Sequence, residues 1–407
     1  MYVTRPLSMY KKYPSALSLP PPEGPNTGIL VIQDEAAEPR HFFGLFKGHE
    51  LKHLPFPQNK DLKLRYSSTT GTGEHSTQHV SHFYAAFIPV LNQPLSSNRY
   101  YLIQSQGSHK GEAYTNSTLD DIETCCFCNF VREVDPKPLH PRDIYQQFEI
   151  CRKGRFNQIG GFVAKSVSPD GFPPKFLARK GWEAYTSTPK DFHLDEAPGL
   201  DTTLRSRLPE FNFPLASTGS NPVVVGKWYC PFMFIKEGTP RDQMTRSMYY
   251  KMTLEQRWEK IYAFERDSRE ENGCLVDVEV EREVVKVGGR EVGDVKRDGG
   301  NGVVWYRGFG KEGGEEVCVG LCLEIVEKME WEERNVGWVG GRDFERKVRV
   351  KKVEEEEEEE EEIVDGENLT RFGCYVLVER FVLRRLDGSL VLTHDFRHTH
   401  QIRTKWE

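Results

Sequence analysis

The distribution of proline limits the folds open to this chain more than any other feature of its sequence. All 24 prolines lie between Pro6 and Pro240, and the last 167 residues contain none. Proline has no backbone N–H to donate, so it interrupts strands and is tolerated mainly in turns and at sheet edges. We therefore expect a proline-rich, loop-rich β region over residues 1–245 and a proline-free antiparallel β region over residues 246–407.

Seven segments of the first region are predicted to be strands, because each is short, rich in β-branched or aromatic residues and bounded by turn formers. They are Gly28 to Gln33, Leu62 to Tyr66, Phe83 to Leu91, Arg99 to Gln104, Gln147 to Cys151, Phe162 to Val167 and Val223 to Ile235. Leu200 to Leu208 fits a short helix, with Asp201 near its start and Pro209 after its end.

The second region is predicted to begin with a short helix. Thr253-Leu-Glu-Gln256 has the spacing of a capping box, and Leu254, Trp258 and Ile261 follow at helical spacing. We expect this helix to run to about Arg266 and to join the two regions.

Beyond Arg266, apolar residues recur at every second position, which is the period of a strand. This pattern covers Val276 to Val280, Val348 to Val350, and a set that shares one parity: Leu321, Leu323, Ile325, Met329 and Trp331. Asp387-Gly388 predicts a type I′ turn within a hairpin from Tyr375 to Phe396. Half-polar strands of this kind suit antiparallel sheets, so the expected fold class is α+β and β-rich, with few short helices.

Charge is divided unevenly along the chain. Residues 1–250 contain 28 Lys+Arg and 24 Asp+Glu, whereas residues 251–407 contain 27 and 38, and the glutamate run Glu354 to Glu362 supplies most of the difference. Like charges repel, so we interpret this run as a solvated acidic loop, with docking to a basic partner as the alternative. Neither part is basic enough to form a nucleic-acid surface, so no nucleic-acid partner is predicted.

The sequence shows no export or membrane-insertion signal. Met1 to Lys12 lacks the apolar core of a signal peptide, and no window approaches the roughly 18 apolar residues of a membrane span. Nine cysteines, an odd number, suit reduced thiols better than a disulfide framework. We expect a soluble cytoplasmic or nuclear protein with no transmembrane segment, and peripheral membrane contact stays open.

Two clusters contain side chains that bind metals. Cys125, Cys126 and Cys128 form the densest thiol group, but a structural zinc site needs four ligands and no second pair of this kind follows. His398 and His400 share one face of a predicted strand, and a metal is the functional interpretation of this pair. Zinc is the metal that these five residues would bind, and no other cofactor is predicted.

Each cluster also has a structural interpretation, which we favour. Free cysteines are commonly buried as small apolar side chains, and exposed ones are also targets of palmitoylation. His394 has the same parity as His398 but lies about 13 Å away along an extended strand, too far to share one ion. Histidines at such positions commonly pair with acidic residues, such as Asp395 or a group on a neighbouring strand.

Enzyme signatures are absent from the sequence. Gly308-Phe-Gly-Lys-Glu-Gly313 has the letters of a nucleotide-binding loop, but Glu315 and Glu316 follow in place of a helix start, which indicates a turn. No Gly-x-Ser-x-Gly, P-loop, His-Glu-x-x-His or kinase signature occurs. We therefore name no catalytic residue and favour a non-enzymatic role.

Ten segments distributed along the chain carry a family resemblance. They read MYVTRPLSMYKKYPSALSLPPPEGPNTGILVIQDE, FIPVLNQPLSSNRYY, HKGEAYT, TCCFC, IYQQFEI, SPDGFPPKFLARKGWEAYTSTP, GLDTTLRSRLPEFNFPL, VVVGKWYCPFMF, MTLEQRWEKIY and YVLVERFVLRRLDGSLVLTHDFRHTHQIRTKWE. Over nearly its whole length the chain resembles the flowering-plant family catalogued as domain of unknown function number 1262, some members of which are labelled insecticidal crystal toxin-like. The resemblance implies a plant protein without transferable activity, cofactor or site residues.

The leading functional hypothesis is a non-enzymatic plant protein that binds a macromolecule or a ligand in stress or defence responses, with a protein partner expected. One alternative is a metal-dependent or hydrolytic enzyme, in which the cysteines or histidines converge with carboxylates. The other is a membrane-acting, β-rich, toxin-like protein, which would need an amphipathic hairpin able to insert.

Overall fold

The computed structural model describes residues 1–22, 24–38, 40–41, 46–70, 77–125, 128–155, 158–189, 193–265, 274–309, 316–340, 347–354 and 371–407. Strands dominate these residues, and their pairing is antiparallel throughout except between the first two strands. The predicted α+β, β-rich fold class with mainly antiparallel sheets is confirmed.

Sixteen strands lie among the described residues of the first region. They are β1 Tyr2–Pro6, β2 Gly28–Ile32, β3 Arg40–His41, β4 Phe46–Lys47, β5 Glu50–Leu51, β6 Asp61–Thr70, β7 Thr77–Pro89, β8 Arg99–Gln104, β9 Ile122–Cys125, β10 Cys128–Val131, β11 Gln147–Arg155, β12 Gln158–Ser166, β13 Glu183–Ser187, β14 Gly199–Leu200, β15 Val223–Pro231 and β16 Ile235–Lys236. All seven predicted strands occur among them. The segment predicted to run from Val223 to Ile235 ends earlier, because Phe232–Phe234 forms a 3-10 turn.

The second region contains longer strands. They are β17 Tyr249–Glu265, β18 Cys274–Glu281, β19 Glu283–Val287, β20 Arg290–Asp298, β21 Val303–Gly308, β22 Val317–Cys322, β23 Lys347–Glu354, β24 Arg371–Arg385 and β25 Leu390–Trp406. The described helices are α1 Leu7–Lys12, α2 Lys175–Ala178, α3 Thr202–Arg207, α4 Pro240–Arg246 and α5 Leu323–Asn335. Among the residues that the structure describes, no helix has the length and apolar character needed to cross a bilayer.

Two sheets organise the molecule. The larger has 12 strands in the order β16-β22-β21-β20-β19-β25-β24-β17-β15-β1-β2, with β14 attached to β15, so it combines strands from both regions. The smaller has seven strands in the order β12-β11-β8-β7-β6-β13-β5. Trp228 and Phe381 of the larger sheet lie in the main apolar core, to which the smaller sheet contributes Ile88 and Ile103. Phe56 and Trp182 lie in a second core beside the smaller sheet.

The predicted helix from Thr253 to about Arg266 is wrong. Residues up to Glu265 belong to β17, which is hydrogen-bonded to β15 on one side and β24 on the other. Met252, Leu254 and Trp258 are fully buried. They are separated by two and four residues, so the buried positions of this segment follow the two-residue period of a strand. Pairing with two long neighbours outweighs the local capping signal. Arg266 itself lies outside the described residues.

The strand predicted from the alternating pattern of Leu321 to Trp331 is also wrong beyond Cys322. Leu321 belongs to β22, but Leu323 begins α5, and Ile325, Val326 and Met329 form its buried face at spacings of one, three and four residues. A shared parity over so few positions fits both periods, because residues four apart lie on one side of a helix as well as of a strand.

The C-terminal hairpin is confirmed, but its turn differs from the predicted type. β24 and β25 pair directly across the Asp387-Gly388 turn. Gly388 has a positive φ of 86°, whereas Asp387 does not have the positive φ that a type I′ turn requires. The Gly388 N–H donates to the Arg385 carbonyl over 3.0 Å. A three-residue loop that ends in a left-handed glycine fits this geometry.

Candidate functional site

A group of buried polar side chains lies where α3 and α5 cover the large sheet. Seven residues from five elements form this buried ionic cluster: Arg205, Gln256, Lys328, Glu332, Glu333, Glu379 and His398. Each has 5% or less of its surface exposed. Charged side chains are rarely buried so completely unless they are paired, so their partners determine what the cluster can do.

Sheet pairing places the strand residues of the cluster on one face. Glu379 on β24 lies directly opposite Gln256 on β17. His398 on β25 pairs with Leu377, two positions from Glu379 along β24, and residues two apart in a strand share a face. The sheet therefore brings these three side chains together before either helix contributes.

The two helices supply the remaining members. Asp201 caps the start of α3, where its carboxylate accepts the Leu204 N–H over 2.8 Å, and the helix carries Arg205 in its interior. Lys328 and Glu332 lie four residues apart on α5 and form an ion pair at 2.6 Å. The apolar face of α5 packs into the core of the large sheet, which aims its polar residues at the same spot.

Arg205 is at the centre of the cluster. Its Nε donates to Glu379 Oε1 over 2.9 Å, and its Nη2 donates to the other oxygen of the same carboxylate. Nη1 donates to Glu332 Oε2, and Nη2 also reaches Glu333 Oε1, each over 3.3 Å. One guanidinium thus contacts three carboxylates, a geometry that suits its planar, forked array of donors.

His398 and Gln256 complete the hydrogen bonding. His398 Nε2 lies 2.8 Å from Glu333 Oε2 and 3.6 Å from Glu379 Oε2. The Gln256 amide donates to Glu379 Oε1 over 2.7 Å and to the Arg205 carbonyl over 3.1 Å. With three carboxylates and three basic side chains, the cluster is able to balance its charge internally.

Burial and pairing change the proton affinities of the cluster. Burial, reinforced by the neighbouring Glu379 carboxylate, raises the pKa of Glu333 to about 8. Burial opposes protonation of His398, but its contacts with Glu333 and Glu379 outweigh this and raise its pKa to about 9. Burial also disfavours the charged form of Glu379, yet hydrogen bonds from Arg205 and His398 hold its pKa well below the usual range. His398 and Glu333 therefore retain protons to higher pH than either group in water.

A cavity of about 530 Å³ opens above the cluster and is called here the α5 cavity. Its apolar lining consists of Leu200, Leu208, Trp331, Val336 and Leu377. Five members of the buried ionic cluster line it as well: Arg205, Gln256, Glu332, Glu379 and His398. An apolar concave surface with a few convergent polar groups is the usual form of a small-molecule site.

The cluster also contains a candidate metal-binding group. Atoms of Glu333, Glu379 and His398 that are able to coordinate a metal lie within 4.8 Å of one another. Arg205 donates to both carboxylates, so its guanidinium group already compensates the negative charge that a metal ion would otherwise compensate. A metal would have to displace these hydrogen bonds and separate His398 from Glu333.

The structure brings one of the five predicted metal-site residues into this cluster. His398 lies within it, whereas His400 is exposed in a bulge of β25 that separates the pairing of His398 from that of Ile402, although the two histidine rings are 5.4 Å apart. Cys125 and Cys128 pair across the β9–β10 hairpin, in a sheet separate from the one that carries His398. Cys126 lies outside the described residues.

Comparison with known proteins finds a family match in part of the chain. Residues 23–127 match the family model described as Protein of unknown function (DUF1262). The predicted resemblance to this family is confirmed over these residues. The crystal structure of Cry35Ab1 is similar with a TM-score of 0.44 and 10% sequence identity, covering 86% of this chain and 90% of that chain. No curated protein matches the sequence. The segment that matches DUF1262 ends before Arg205, the first cluster residue, so the match is silent about the site.

Sequence reasoning missed six of the seven cluster residues. The clearest available signal was Glu379, a charged residue between the apolar runs Tyr-Val-Leu-Val and Phe-Val-Leu of β24. A second signal is the four-residue spacing of Lys328 and Glu332, which suits an ion pair on a helix, although the alternating pattern predicts a strand in this segment. No sequence signal links Arg205 to these positions, which lie more than a hundred residues away.

Proposed function

We propose that this protein is a non-enzymatic binding protein that takes a small organic molecule into the α5 cavity. The observation that carries the proposal is an apolar cavity of about 530 Å³ above a polar cluster whose groups bond to one another. Its volume lies within the roughly 300–1,000 Å³ of typical ligand sites. A role in plant stress or defence responses and a protein partner stay part of the proposal, as expected from the sequence.

The state of the charged groups supports binding over catalysis. A general base must reach a substrate proton, and a nucleophile must be free to attack. Glu379 accepts from both Arg205 and Gln256, and the Nε2 of His398 faces Glu333. These groups have their hydrogen-bonding capacity committed to neighbours, so they serve to hold the cavity in shape.

Cavity filling tests the proposal. N-phenyl-1-naphthylamine is an uncharged ligand whose fluorescence rises in apolar sites. We expect saturable binding to the wild-type protein, because the cavity walls are apolar. Val336→Trp places a large ring at the cavity lining and should weaken binding by about tenfold or more, since an occupied cavity loses the apolar contact area that drives binding.

Val339→Trp is the matched control. Val339 lies three residues from Val336, is 72% exposed and does not line the α5 cavity. The control variant should bind the fluorophore as the wild type does. Absence of saturable binding in the wild type, or equal binding by Val336→Trp in a correctly folded state, would contradict the proposal.

A metal-dependent or hydrolytic enzyme is the second candidate, and the proximity of Glu333, Glu379 and His398 favours it. Elemental analysis of protein purified without chelators or added metal separates the two candidates. Zinc bound in equimolar amount, and lost in His398→Phe, would support the enzyme. The binding proposal expects far less than one zinc per chain, because Arg205 compensates the carboxylates.

A further inference from the structure

We infer that the ligand of the α5 cavity is an uncharged molecule with an apolar body and one hydrogen-bond donor, which it presents to Gln256. The inference rests on the proposed function, since it concerns what the same cavity binds. Three observations carry it: the pairing of the charged lining groups, the orientation of the Gln256 amide, and the apolar walls.

The charged groups that line the cavity are already paired with other charged groups of the cluster. The Nε, Nη1 and Nη2 atoms of Arg205 all donate to carboxylate oxygens. Glu332 accepts from Lys328 as well as from Arg205. A charged ligand would thus lose its hydration and have to compete with these existing ion pairs for a partner, which makes its binding costly. An uncharged ligand avoids this cost.

The orientation of the Gln256 amide is determined by its neighbours. Its nitrogen lies within hydrogen-bonding distance of a Glu379 carboxylate oxygen and of the Arg205 carbonyl, and both of these are acceptors only. A flipped amide would place its oxygen against two other oxygens, so the nitrogen faces these two acceptors and the oxygen is the amide atom that remains for another partner.

That oxygen is the acceptor that a ligand donor would find. Gln256 lines the cavity, and its Oε1 is buried without a hydrogen-bond partner among the residues that the structure describes. Buried carbonyl oxygens are nearly always hydrogen-bonded, and an unpaired one is unfavourable. Because this oxygen lies beneath the cavity surface, a small shift of the lining side chains is needed before a hydroxyl or amine reaches it.

The remaining contacts favour an apolar body. Leu200, Leu208, Trp331 and Leu377 line the same cavity as Gln256. Removal of apolar surface from water at these side chains provides the favourable free energy of binding, and the donor then determines orientation. Planar phenols and small alcohols with a hydrocarbon body have this chemistry.

Three ligands of one shape test the inference. 2-Naphthol carries a donor, 2-methoxynaphthalene replaces it with an acceptor, and 2-naphthoate is charged at neutral pH. Their dissociation constants are measured by displacement of N-phenyl-1-naphthylamine. We expect 2-naphthol to bind about tenfold more tightly than 2-methoxynaphthalene, the factor expected for one additional hydrogen bond to a buried acceptor, and 2-naphthoate to bind most weakly.

The outcomes separate this inference from the proposed function. Equal binding of 2-naphthol and 2-methoxynaphthalene, or tightest binding of 2-naphthoate, would overturn the inference and leave the cavity as a ligand site. Binding of the fluorophore without displacement by any of the three would overturn it too. Failure of the fluorophore itself to bind would overturn the proposed function.

A pair of variants assigns the preference to one residue. Gln256→Met removes the acceptor with little change in length, and Gln401→Met makes the same substitution at another lining position. The ratio of the two dissociation constants should fall to about one in Gln256→Met and keep its wild-type value in Gln401→Met. An unchanged ratio in folded Gln256→Met would contradict the assignment. If that variant does not fold, the wild-type ligand series still decides the inference.

Discussion

Two buried histidines on β25 each contact a glutamate, but their surroundings differ. His394 Nε2 lies 3.1 Å from Glu283 Oε2, and the side chain of Glu283 is 43% exposed. His398 Nε2 lies 2.8 Å from Glu333 Oε2, and the side chain of Glu333 has no exposed surface. Water is able to solvate the carboxylate of Glu283, whereas the charge of the Glu333 carboxylate is compensated by protein groups alone.

This difference explains why only one of the histidines belongs to a larger network. The His394 ring stacks on Phe396 at a centroid distance of 4.2 Å, and its Nδ1 has no partner among the described residues. Near His398, the negative charges of Glu333 and Glu379 are compensated by Arg205 as well. A buried charge network of this kind is seldom a net source of stability, which agrees with the ligand-binding role proposed for the cavity that it lines.

The largest expected effect comes from removing the central cation. Arg205→Met would leave Glu332, Glu333 and Glu379 buried without their shared donor. We expect the free energy of unfolding to fall by about 3–5 kcal/mol, the usual consequence of breaking a buried ion pair from one side. Urea denaturation followed by circular dichroism measures this change.

The control for Arg205 is Arg349→Met. Arg349 pairs with Asp277 on the β18–β23 ribbon, and its side chain is 63% exposed. We expect a loss below about 1 kcal/mol, as for surface ion pairs in general. Equal losses in the two variants would show that burial of the cluster does not determine how much its ion pairs contribute to the free energy of unfolding.

The second effect is a loss of stability at alkaline pH. The pKa of His398 is raised to about 9 in the folded protein, so the folded state binds this proton more tightly than the unfolded state does. The resulting stabilisation is complete below the unfolded pKa of about 6.5 and is lost as pH rises through about 9. Titration of His398 alone should lower the free energy of unfolding by roughly 2–3 kcal/mol between about pH 7 and pH 10.

Two amide variants locate the source of this pH dependence. The pKa of Glu333 is raised to about 8, mainly by burial and then by Glu379, so Glu333 contributes stability that is also lost as pH rises. Glu333→Gln should flatten the alkaline profile. The pKa of Glu283 is lowered, since its contacts with His394 outweigh its burial, so Glu283 titrates in acid and Glu283→Gln should keep the wild-type alkaline profile. The same profile in Glu333→Gln as in the wild type would contradict this assignment.

Much of the fold follows from local sequence patterns. β18 and β23 were predicted because valines alternate with charged residues along each strand, and the period is visible within a few positions. β17 was misassigned, because its buried face includes the polar Gln256, which interrupts the alternation and leaves a helical spacing visible. Local patterns fail where a polar residue is buried for reasons that lie elsewhere in the chain.

The candidate site was far less predictable for the same reason. His398 was named from strand parity, but with 62 Asp+Glu in the chain no argument could select Glu333 and Glu379 as its partners. Arg205 lies 174 residues from Glu379, its bidentate partner. Only the three-dimensional packing of α3 and α5 on the large sheet brings these groups together, and no composition or motif encodes it.

The smallest expected effect compares the two histidines directly. His398→Phe would remove one hydrogen-bond donor from Glu333 and leave both it and Glu379 with Arg205, and we expect it to cost about 1–3 kcal/mol of unfolding free energy. His394→Phe keeps the ring stack on Phe396 and removes the unpartnered Nδ1, so its cost should stay below about 1 kcal/mol. Both values come from urea denaturation at neutral pH. A larger loss for His394→Phe than for His398→Phe would mean that solvent access to the paired glutamate does not determine how much each histidine stabilises the fold. The expectation that pairing within the buried ionic cluster is the stronger of the two would then be wrong.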